Sequence, residues 1–263
     1  MNQTRSSGIL LHPTSLPGHY GIGDFGPAAH QWLDDLAASG CHLWQVLPLC
    51  PTGYADSPYQ CFSTFAGNVY LISPDLLLED GLVSTEDLAD CPEFPKDQVD
   101  YGPVISWKIG LLDAAFDQFE KRGSRELKND FETFRVTNRD WLDDFALFMA
   151  LKDLYNLRPW TEWPAPLRDR NSLQLQKARA SYAREVSRHS FRQFLFFRQW
   201  RGLHARAGEL GIKIIGDLPI FVAHDSADVW ANKDLFYLND AGQPQVVAGV
   251  PPDYFSETGQ LWG

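Results

Sequence analysis

Ile212-Lys213-Ile214-Ile215-Gly216-Asp217-Leu218-Pro219 is the stretch that decides the fold class of this chain. Its first half is almost wholly apolar and β-branched, which predicts a short buried strand, and Pro219 stops that strand. Asp217 follows the strand directly. In a βα architecture this position places a carboxylate at the end of the sheet where ligands bind. The alternative for Asp217 is a helix N-cap or a turn aspartate.

Two further strands of the same kind are predicted near the start of the chain. Gly8–Pro13 is a short apolar run, predicted to be buried, that a proline ends, and His42–Pro48 is another. Between them Pro27 is suited to a first helical position, Gly40 to a helix stop, and apolar residues recur at helical spacing. The order strand, helix, strand is typical of parallel βα folds.

Most of the middle of the chain is predicted to be helical. Apolar stripes at helical spacing run from Ser106 to about Gly211, and the proline-containing segment 158–166 must interrupt them. A short helix is predicted over Ser226–Ala231, and Asn239–Gly242 favours a hairpin turn.

These elements predict an α/β fold. Three strands with a long helical segment before the third match the first part of a TIM (β/α)8 barrel, with a large helical insertion between the second and third strands. Within one incomplete catalytic domain, residues 1–49 would form the first barrel strands and residues 50–212 a loop and the helical insertion. Residues 213–263 would form the third strand and the start of a substrate loop.

Composition excludes several classes of partner. The net charge of −11 argues against binding to nucleic acid or to an anionic membrane, because both need a basic surface. No apolar run approaches the roughly 20 residues of a membrane span, and no signal-peptide core follows Met1. We therefore expect a cytoplasmic protein. Oligomeric state stays open.

Neither a metal nor a cofactor is predicted. The four cysteines, Cys41, Cys50, Cys61 and Cys91, form no CxxC pair, so they are expected to be free thiols rather than zinc ligands. No cluster of histidine and carboxylate residues shows ligand spacing, and His224-Asp225 is expected to be an ordinary loop pair.

Two loops rich in aromatic residues follow predicted strands. Tyr54-Ala55-Asp56-Ser57-Pro58-Tyr59 lies beyond the second strand, and residues 249–263 lie beyond the third. Aromatic faces and hydroxyl groups there suit the stacking and hydrogen bonding of sugars. The alternatives are an ordinary polar loop for the first and a packing loop for the second.

Six stretches of this sequence, in order along the chain, resemble the amylomaltases of glycoside hydrolase family 77. They are Ile9–Gly18 (ILLHPTSLPG), Gly21–Gly26 (GIGDFG), Trp44–Leu49 (WQVLPL), Ser57–Gln60 (SPYQ), Gly216–Val222 (GDLPIFV) and Val250–Ser256 (VPPDYFS).

The resemblance implies a (β/α)8 barrel enzyme that moves α-1,4-glucan segments between maltooligosaccharides with retention, in maltodextrin or glycogen metabolism. It also implies roles for single residues: Asp217 touches the sugar in the −1 subsite, Tyr59 stacks beneath that sugar and Ser57 binds close by. Gln260 and Trp262 would contact donor or acceptor, and Tyr54 would bind glucan at a secondary site.

The same resemblance implies that no catalytic residue lies in this chain. Retaining transfer needs a nucleophile and an acid/base carboxylate about 5–5.5 Å apart. The family's nucleophile, acid/base and stabilising aspartate belong to later strands, so we expect all three beyond residue 263 and expect the isolated chain, an N-terminal part, to be inactive. Two alternatives are a non-catalytic α-glucan-binding fragment and a complete small hydrolase that pairs Asp217 with Asp253 or Glu257.

Overall fold

The computed structural model describes residues 5–53 and 56–261 and shows an α/β fold that is mostly helical with a small parallel sheet. The strands are β1 (Gly8–Leu10), β2 (Leu43–Gln45), β3 (Lys213–Ile215), β4 (Gly249–Val250) and β5 (Gln260–Leu261). The helices are α1 (Pro27–Ala38), α2 (Pro74–Glu79), α3 (Thr85–Ala89), α4 (Tyr101–Arg122), α5 (Arg125–Thr137), α6 (Arg139–Leu154), α7 (Ala165–Arg168), α8 (Ser172–Ser181), α9 (Ala183–Glu209) and α10 (Ala227–Ala231).

The three predicted strands form one parallel sheet in the order β1-β2-β3, which confirms both their positions and their direction. Ile9 is opposite Trp44, and Trp44 is opposite Ile214. Trp44 on the central strand is fully buried, and its indole Nε1 donates a hydrogen bond to the carbonyl of Leu11 at 2.8 Å. This bond ties the end of β1 to the centre of the sheet.

The prediction that β1 and β3 are buried is wrong. All three residues of β1 are exposed, Leu10 to 54%, and Ile215 on β3 is exposed to 42%. The physical reason is the strand order: β1 and β3 lie at the two edges of the sheet, so only β2 has a strand on both sides.

The helices that precede β2 and β3 end in the same way. Gly40 follows α1 with φ of +71°, and the N–H of Cys41 donates to the carbonyl of Leu36. Gly211 follows α9 with φ of +72°, and the N–H of Ile212 donates to the carbonyl of Ala207. Both are Schellman motifs, in which glycine adopts the left-handed conformation without a Cβ clash. Each turns the chain directly into the next strand.

Other sequence predictions are confirmed with shifted bounds. The long helical region begins at Tyr101, five residues before the predicted start, and α6 ends before the proline-containing segment. Ser226 caps α10 by accepting a hydrogen bond from the N–H of Val229. A hairpin turn closes where the N–H of Gly242 donates to the carbonyl of Asn239. Helices α2 and α3 were not predicted.

The chain divides into two compact units, each with its own core. The first comprises residues 1–49, 67–137 and 191–217, and the second comprises residues 50–66, 138–190 and 218–263. Stacked and edge-to-face phenylalanines on α4, α5 and α9 fill the first: Phe116, Phe119, Phe131, Phe191 and Phe194. Trp160, Trp163 and Trp230 lie around Phe148 in the second.

Candidate functional site: a strand-end aspartate and two aromatic loops

Asp217 lies in the first unit, two residues beyond the last residue of β3. The end of β3 is held in the sheet because the N–H of Val46 donates to the carbonyl of Ile215 at 3.0 Å. Asp217 is not a helix N-cap, since the next helix begins at Ala227 with Ser226 as its cap. Its place at the carboxyl end of a parallel strand is the one the sequence predicts.

Ser57 and Tyr59 lie together on a tight turn in the second unit. The N–H of Tyr59 donates to the Oγ of Ser57 at 3.3 Å, and the N–H of Gln60 donates to the carbonyl of Ser57 at 3.3 Å. Asp56 opens the turn with φ of +54°, a left-handed conformation that aspartate tolerates better than most residues. The Tyr59 side chain is 43% exposed. Tyr54, the predicted secondary-site residue, lies outside the described residues.

A short pairing closes the base of this loop. Thr52 and Cys61 form an antiparallel bridge, and the N–H of Gly53 donates to the carbonyl of Gln60 at 2.7 Å. Cys50 and Cys61 are both buried thiols. A hydrogen bond with Cys50, then burial and the nearby charge of Asp228, raise the pKa of the Cys61 thiol, so that thiol stays protonated.

Asp228 anchors the far end of the same loop. Its Oδ2 accepts hydrogen bonds from the N–H of Thr64 at 2.8 Å and from the Thr64 hydroxyl at 2.7 Å. Its Oδ1 accepts a bond from the Ser63 hydroxyl at 2.9 Å. Sequence reasoning missed this residue, since no local pattern links a first-turn aspartate of α10 to a loop more than 160 residues earlier.

The last segment of the second unit forms a small hairpin that displays aromatic rings. Strands β4 and β5 pair antiparallel, with Gln260 opposite Val250. At the tip, the Oδ1 of Asp253 accepts hydrogen bonds from the N–H groups of Phe255 and Ser256, both at 2.9 Å.

The rings of Tyr254 and Phe255 lie 4.0 Å apart at this tip and are 89% and 77% exposed. Gln260 is exposed as well, and Trp262 lies outside the described residues. Ser57, Tyr59 and Gln260 therefore belong to the second unit, whereas Asp217 belongs to the first.

A hydrogen-bond network around the buried Lys152 supports the segment that follows β3. Lys152, only 1% exposed, donates to the carboxylate of Asp225 at 2.5 Å and to the carbonyl of Leu157 at 2.6 Å. The other oxygen of Asp225 accepts from the N–H of Trp160 at 3.1 Å, and the Trp160 indole donates to the carbonyl of His224 at 2.8 Å. The predicted loop pair His224-Asp225 is thus a packed structural element.

A concave surface is present among the described residues of each unit. In the first, a cavity of about 820 Å³ is lined mainly by residues 14–24 and 95–99. In the second, an apolar groove of about 450 Å³ is lined by residues of the segment 220–248. None of the described site residues, Ser57, Tyr59, Asp217 and Gln260, lines either of them.

Within residues 5–53 and 56–261, no group of three or more histidine, cysteine or carboxylate residues is placed to hold a metal ion. None of the described helices is both long and apolar enough to cross a bilayer.

Comparison with known proteins shows which family this chain belongs to. The family model described as 4-alpha-glucanotransferase matches residues 11–263. The chain belongs to this family. It is similar to the 4-alpha-glucanotransferase of Thermus thermophilus, with 54% identity over 263 residues that cover 100% of this chain and 52% of that protein.

Two further similar proteins are also covered over about half their length. The chloroplastic/amyloplastic enzyme of Solanum tuberosum is 45% identical over 100% of this chain and 46% of its own length. The amylomaltase from Streptococcus agalactiae in complex with acarbose superposes with a TM-score of 0.93 at 39% identity, over 99% of this chain and 52% of that one.

The chain therefore spans about half the length of the curated relatives that it matches. These relatives confirm the resemblance drawn from the sequence motifs. The cytoplasmic location stays a prediction.

Proposed function

We propose that this chain is the N-terminal half of a 4-alpha-glucanotransferase that moves α-1,4-glucan segments between maltooligosaccharides with retention. The observation that carries the proposal is the superposition, at a TM-score of 0.93, on an amylomaltase structure that contains acarbose. The position of Asp217 at a parallel strand end and the exposed rings of Tyr59, Tyr254 and Phe255 suit a glucan site.

Strands β1, β2 and β3 would be the first three strands of a (β/α)8 barrel, with α2–α9 as a helical insertion before the third. Two features support this: the strands are parallel and adjacent in chain order, and both outer strands are exposed. In a closed barrel each outer strand has a further neighbour. The proposed regions keep the bounds 1–49, 50–212 and 213–263.

The site residues would act as glucan contacts. Asp217 would accept hydrogen bonds from the hydroxyls of the sugar in the −1 subsite, and Tyr59 would stack against the apolar face of a sugar ring. Ser57 would bind close by, because its Oγ already lies beside the backbone of Tyr59. Gln260 and Trp262 would contact donor or acceptor glucan, and Tyr54 would serve the secondary site.

The chain would bind glucan without turning it over. Retaining transfer needs two carboxylates about 5–5.5 Å apart, and we place the nucleophile, the acid/base and the stabilising aspartate beyond residue 263. The small-hydrolase alternative pairs Asp217 with Asp253 or Glu257. The Oδ1 of Asp253 already accepts two backbone hydrogen bonds within the hairpin tip, so Glu257 is the partner to test. Glu257→Ala would abolish hydrolysis if that alternative held.

A binding and turnover assay tests the proposal. Calorimetric titration of the purified chain with acarbose should show saturable binding, and the same chain should release no glucose from maltotriose. Tyr59→Ala should weaken the binding, whereas Tyr237→Ala, which removes another exposed tyrosine of the second unit, should not. Absence of acarbose binding, or disproportionation of maltotriose by the chain alone, would contradict it.

A complementation assay tests the barrel. Mixing this chain with the second half of the Thermus thermophilus relative should restore disproportionation if β1 and β3 pair with further strands. Asp217→Asn should prevent that recovery. No activity despite a stable complex of the two halves would argue against the barrel.

A further inference from the structure

Three hydrogen bonds converge on the carboxylate of Asp228 from two consecutive residues. The donors are the Ser63 hydroxyl, at 2.9 Å, and the N–H and hydroxyl of Thr64, at 2.8 and 2.7 Å. Hydrogen bonds to an ionised acceptor are stronger than those between neutral groups. The Asp228 side chain therefore fixes the backbone at Thr64 and the rotamers of Ser63 and Thr64.

The start of α10 adds a backbone contact to the same segment. The N–H of Ala227 donates to the carbonyl of Phe62 at 2.8 Å. The helix itself is held firmly, since Trp230 is fully buried and its indole donates to the carbonyl of Leu167 at 3.0 Å. Asp228 thus projects from a rigid support onto a loop.

The constraint extends from Thr64 back to the proposed glucan contacts. Phe62 is bonded to α10, Cys61 is bridged to Thr52, and the carbonyl of Gln60 is bonded to Gly53. The N–H of Gln60 then closes the turn on Ser57 at 3.3 Å. Each residue from 60 to 64 is therefore held by a hydrogen bond or a bridge. The turn that carries Ser57 and Tyr59 directly precedes this segment in the chain.

We propose that Asp228 is a positioning residue that holds segment 57–64 in the conformation that presents Ser57 and Tyr59 to glucan. The inference rests on the proposed function. Asp228 itself need not touch the sugar. Without its carboxylate, the N–H of Thr64 and two hydroxyls lose their acceptor, and the segment samples other conformations. The apparent affinity then falls in proportion to the fraction of molecules that stays competent to bind.

The decisive experiment compares the dissociation constant of acarbose for the wild-type chain with those of two variants. Asp228→Ala should raise it about tenfold, the loss expected from one to two net hydrogen bonds. Asp228→Asn should stay within about threefold, because its amide oxygen accepts both bonds from Thr64 and its amide NH₂ donates to the Ser63 hydroxyl. Rescue by asparagine would mark a role in hydrogen bonding rather than in charge.

Asn171→Ala is a matched control for loss of stability. Asn171 caps α8 in the same unit by accepting a hydrogen bond from the N–H of Gln174 at 3.2 Å. Its removal should lower the melting temperature and leave the affinity for acarbose unchanged. Hydrogen exchange of the peptide 57–64 should accelerate in Asp228→Ala and not in Asn171→Ala.

The outcomes separate the inference from the proposed function. Unchanged affinity in Asp228→Ala, or equal losses in Asp228→Ala and Asn171→Ala, would overturn the positioning role. If Asp228→Ala does not fold, Thr64→Val removes a single hydroxyl bond, and unchanged affinity there overturns it as well. Failure of the wild-type chain to bind acarbose refutes the proposed function, and the inference with it, before any variant is measured.

Discussion

The side-chain amide of Gln193 pairs with the backbone of Gly67 through two hydrogen bonds. The N–H of Gly67 donates to Oε1 at 2.7 Å, and Nε2 donates to the carbonyl of Gly67 at 3.0 Å. Gln199 repeats the arrangement with Ser73, at 2.7 and 3.2 Å. Two buried glutamines of α9 therefore pair with the backbone at both ends of the segment 67–73, which contains a short 3-10 helix.

Gln193→Ala should destabilise the protein strongly. It leaves the N–H and the carbonyl of Gly67 buried without a partner, which costs about 2–4 kcal/mol for the two groups. Urea unfolding measures the change, and Gln176→Ala on the exposed face of α8 serves as the control with little expected effect. Similar unfolding free energies for both variants would contradict the role assigned to Gln193.

Gly67→Ala should be destabilising for a steric reason. A Cβ on Gly67 would lie 2.1 Å from two ring carbons of Phe196, so the ring or the backbone must move, at a cost of about 1–3 kcal/mol.

Gly110 offers the opposite case, because no atom lies within 4 Å of its added Cβ in the middle of α4. Gly110→Ala should stabilise the protein by about 0.5–1 kcal/mol. Thermal melting should show a lower melting temperature for Gly67→Ala and a higher one for Gly110→Ala. Shifts in the same direction would contradict the packing described for these two glycines.

Lys108→Met should cost about 3–5 kcal/mol, because it leaves the buried carboxylate of Asp24 without its partner. Lys108 is 2% exposed, and its Nζ lies 3.3 Å from Asp24 and 2.8 and 3.0 Å from the carbonyls of Tyr70 and Ile72. Adding Asp24→Asn should recover part of the loss, since asparagine carries no charge and still accepts from the N–H of Gly26. A double-mutant cycle measures the coupling, and strict additivity would show that the two side chains do not interact.

The order of helices and strands in this molecule can be predicted largely from local sequence signals. Gly40 and Gly211 mark helix ends, and the apolar runs that follow them are strands β2 and β3. Each signal depends only on neighbouring residues: a left-handed turn that favours glycine, or a β-branched run that a proline ends. The burial of β1 and β3 could not be predicted correctly, because it depends on which strands lie on either side.

The support of the candidate site could not be predicted at all. Ser57, Tyr59 and Asp217 were predicted because they follow predicted strands and stand in motifs that resemble a known family. Asp228 and Gln193 stand in no such motif, and their partners are 164 and 126 residues away in the chain. Long-range hydrogen bonds of this kind follow from tertiary packing and leave no periodic pattern in the sequence.

His12 should make stability depend on pH below about 6.5, the ordinary pKa of histidine. Burial lowers the pKa of His12 below its ordinary value, opposed in part by a hydrogen bond to the carbonyl of Pro48. The ring Nδ1 accepts from the N–H of Thr14 at 3.3 Å, which requires the neutral ring. Between the folded-state and unfolded-state pKa values the unfolded chain binds more protons, so stability falls as the pH is lowered through this window.

His12→Asn tests this dependence. Asparagine can still accept from the N–H of Thr14 and does not titrate, so the unfolding free energy of the variant should fall less between pH 7 and pH 5.5. All other groups contribute to both proteins and cancel in the difference between the two slopes. Parallel slopes would show that His12 titrates alike in the folded and unfolded chains.

Tyr254→Ala and Phe255→Ala should weaken glucan binding and leave stability unchanged. Both rings are largely exposed at the tip of the β4–β5 hairpin, so their removal should change the unfolding free energy by less than about 0.5 kcal/mol. If the rings stack on sugar faces, losing one should raise the dissociation constant of acarbose about 3- to 10-fold, by analogy with aromatic pairs. Calorimetric titration and thermal melting of the same samples separate the two effects.

Leu235→Ala, which changes another exposed apolar residue of the second unit, is the control and should alter neither the affinity for acarbose nor the stability. Unchanged affinity in both hairpin variants would remove this tip from the glucan site and leave Ser57, Tyr59 and Gln260 as its proposed contacts in the second unit.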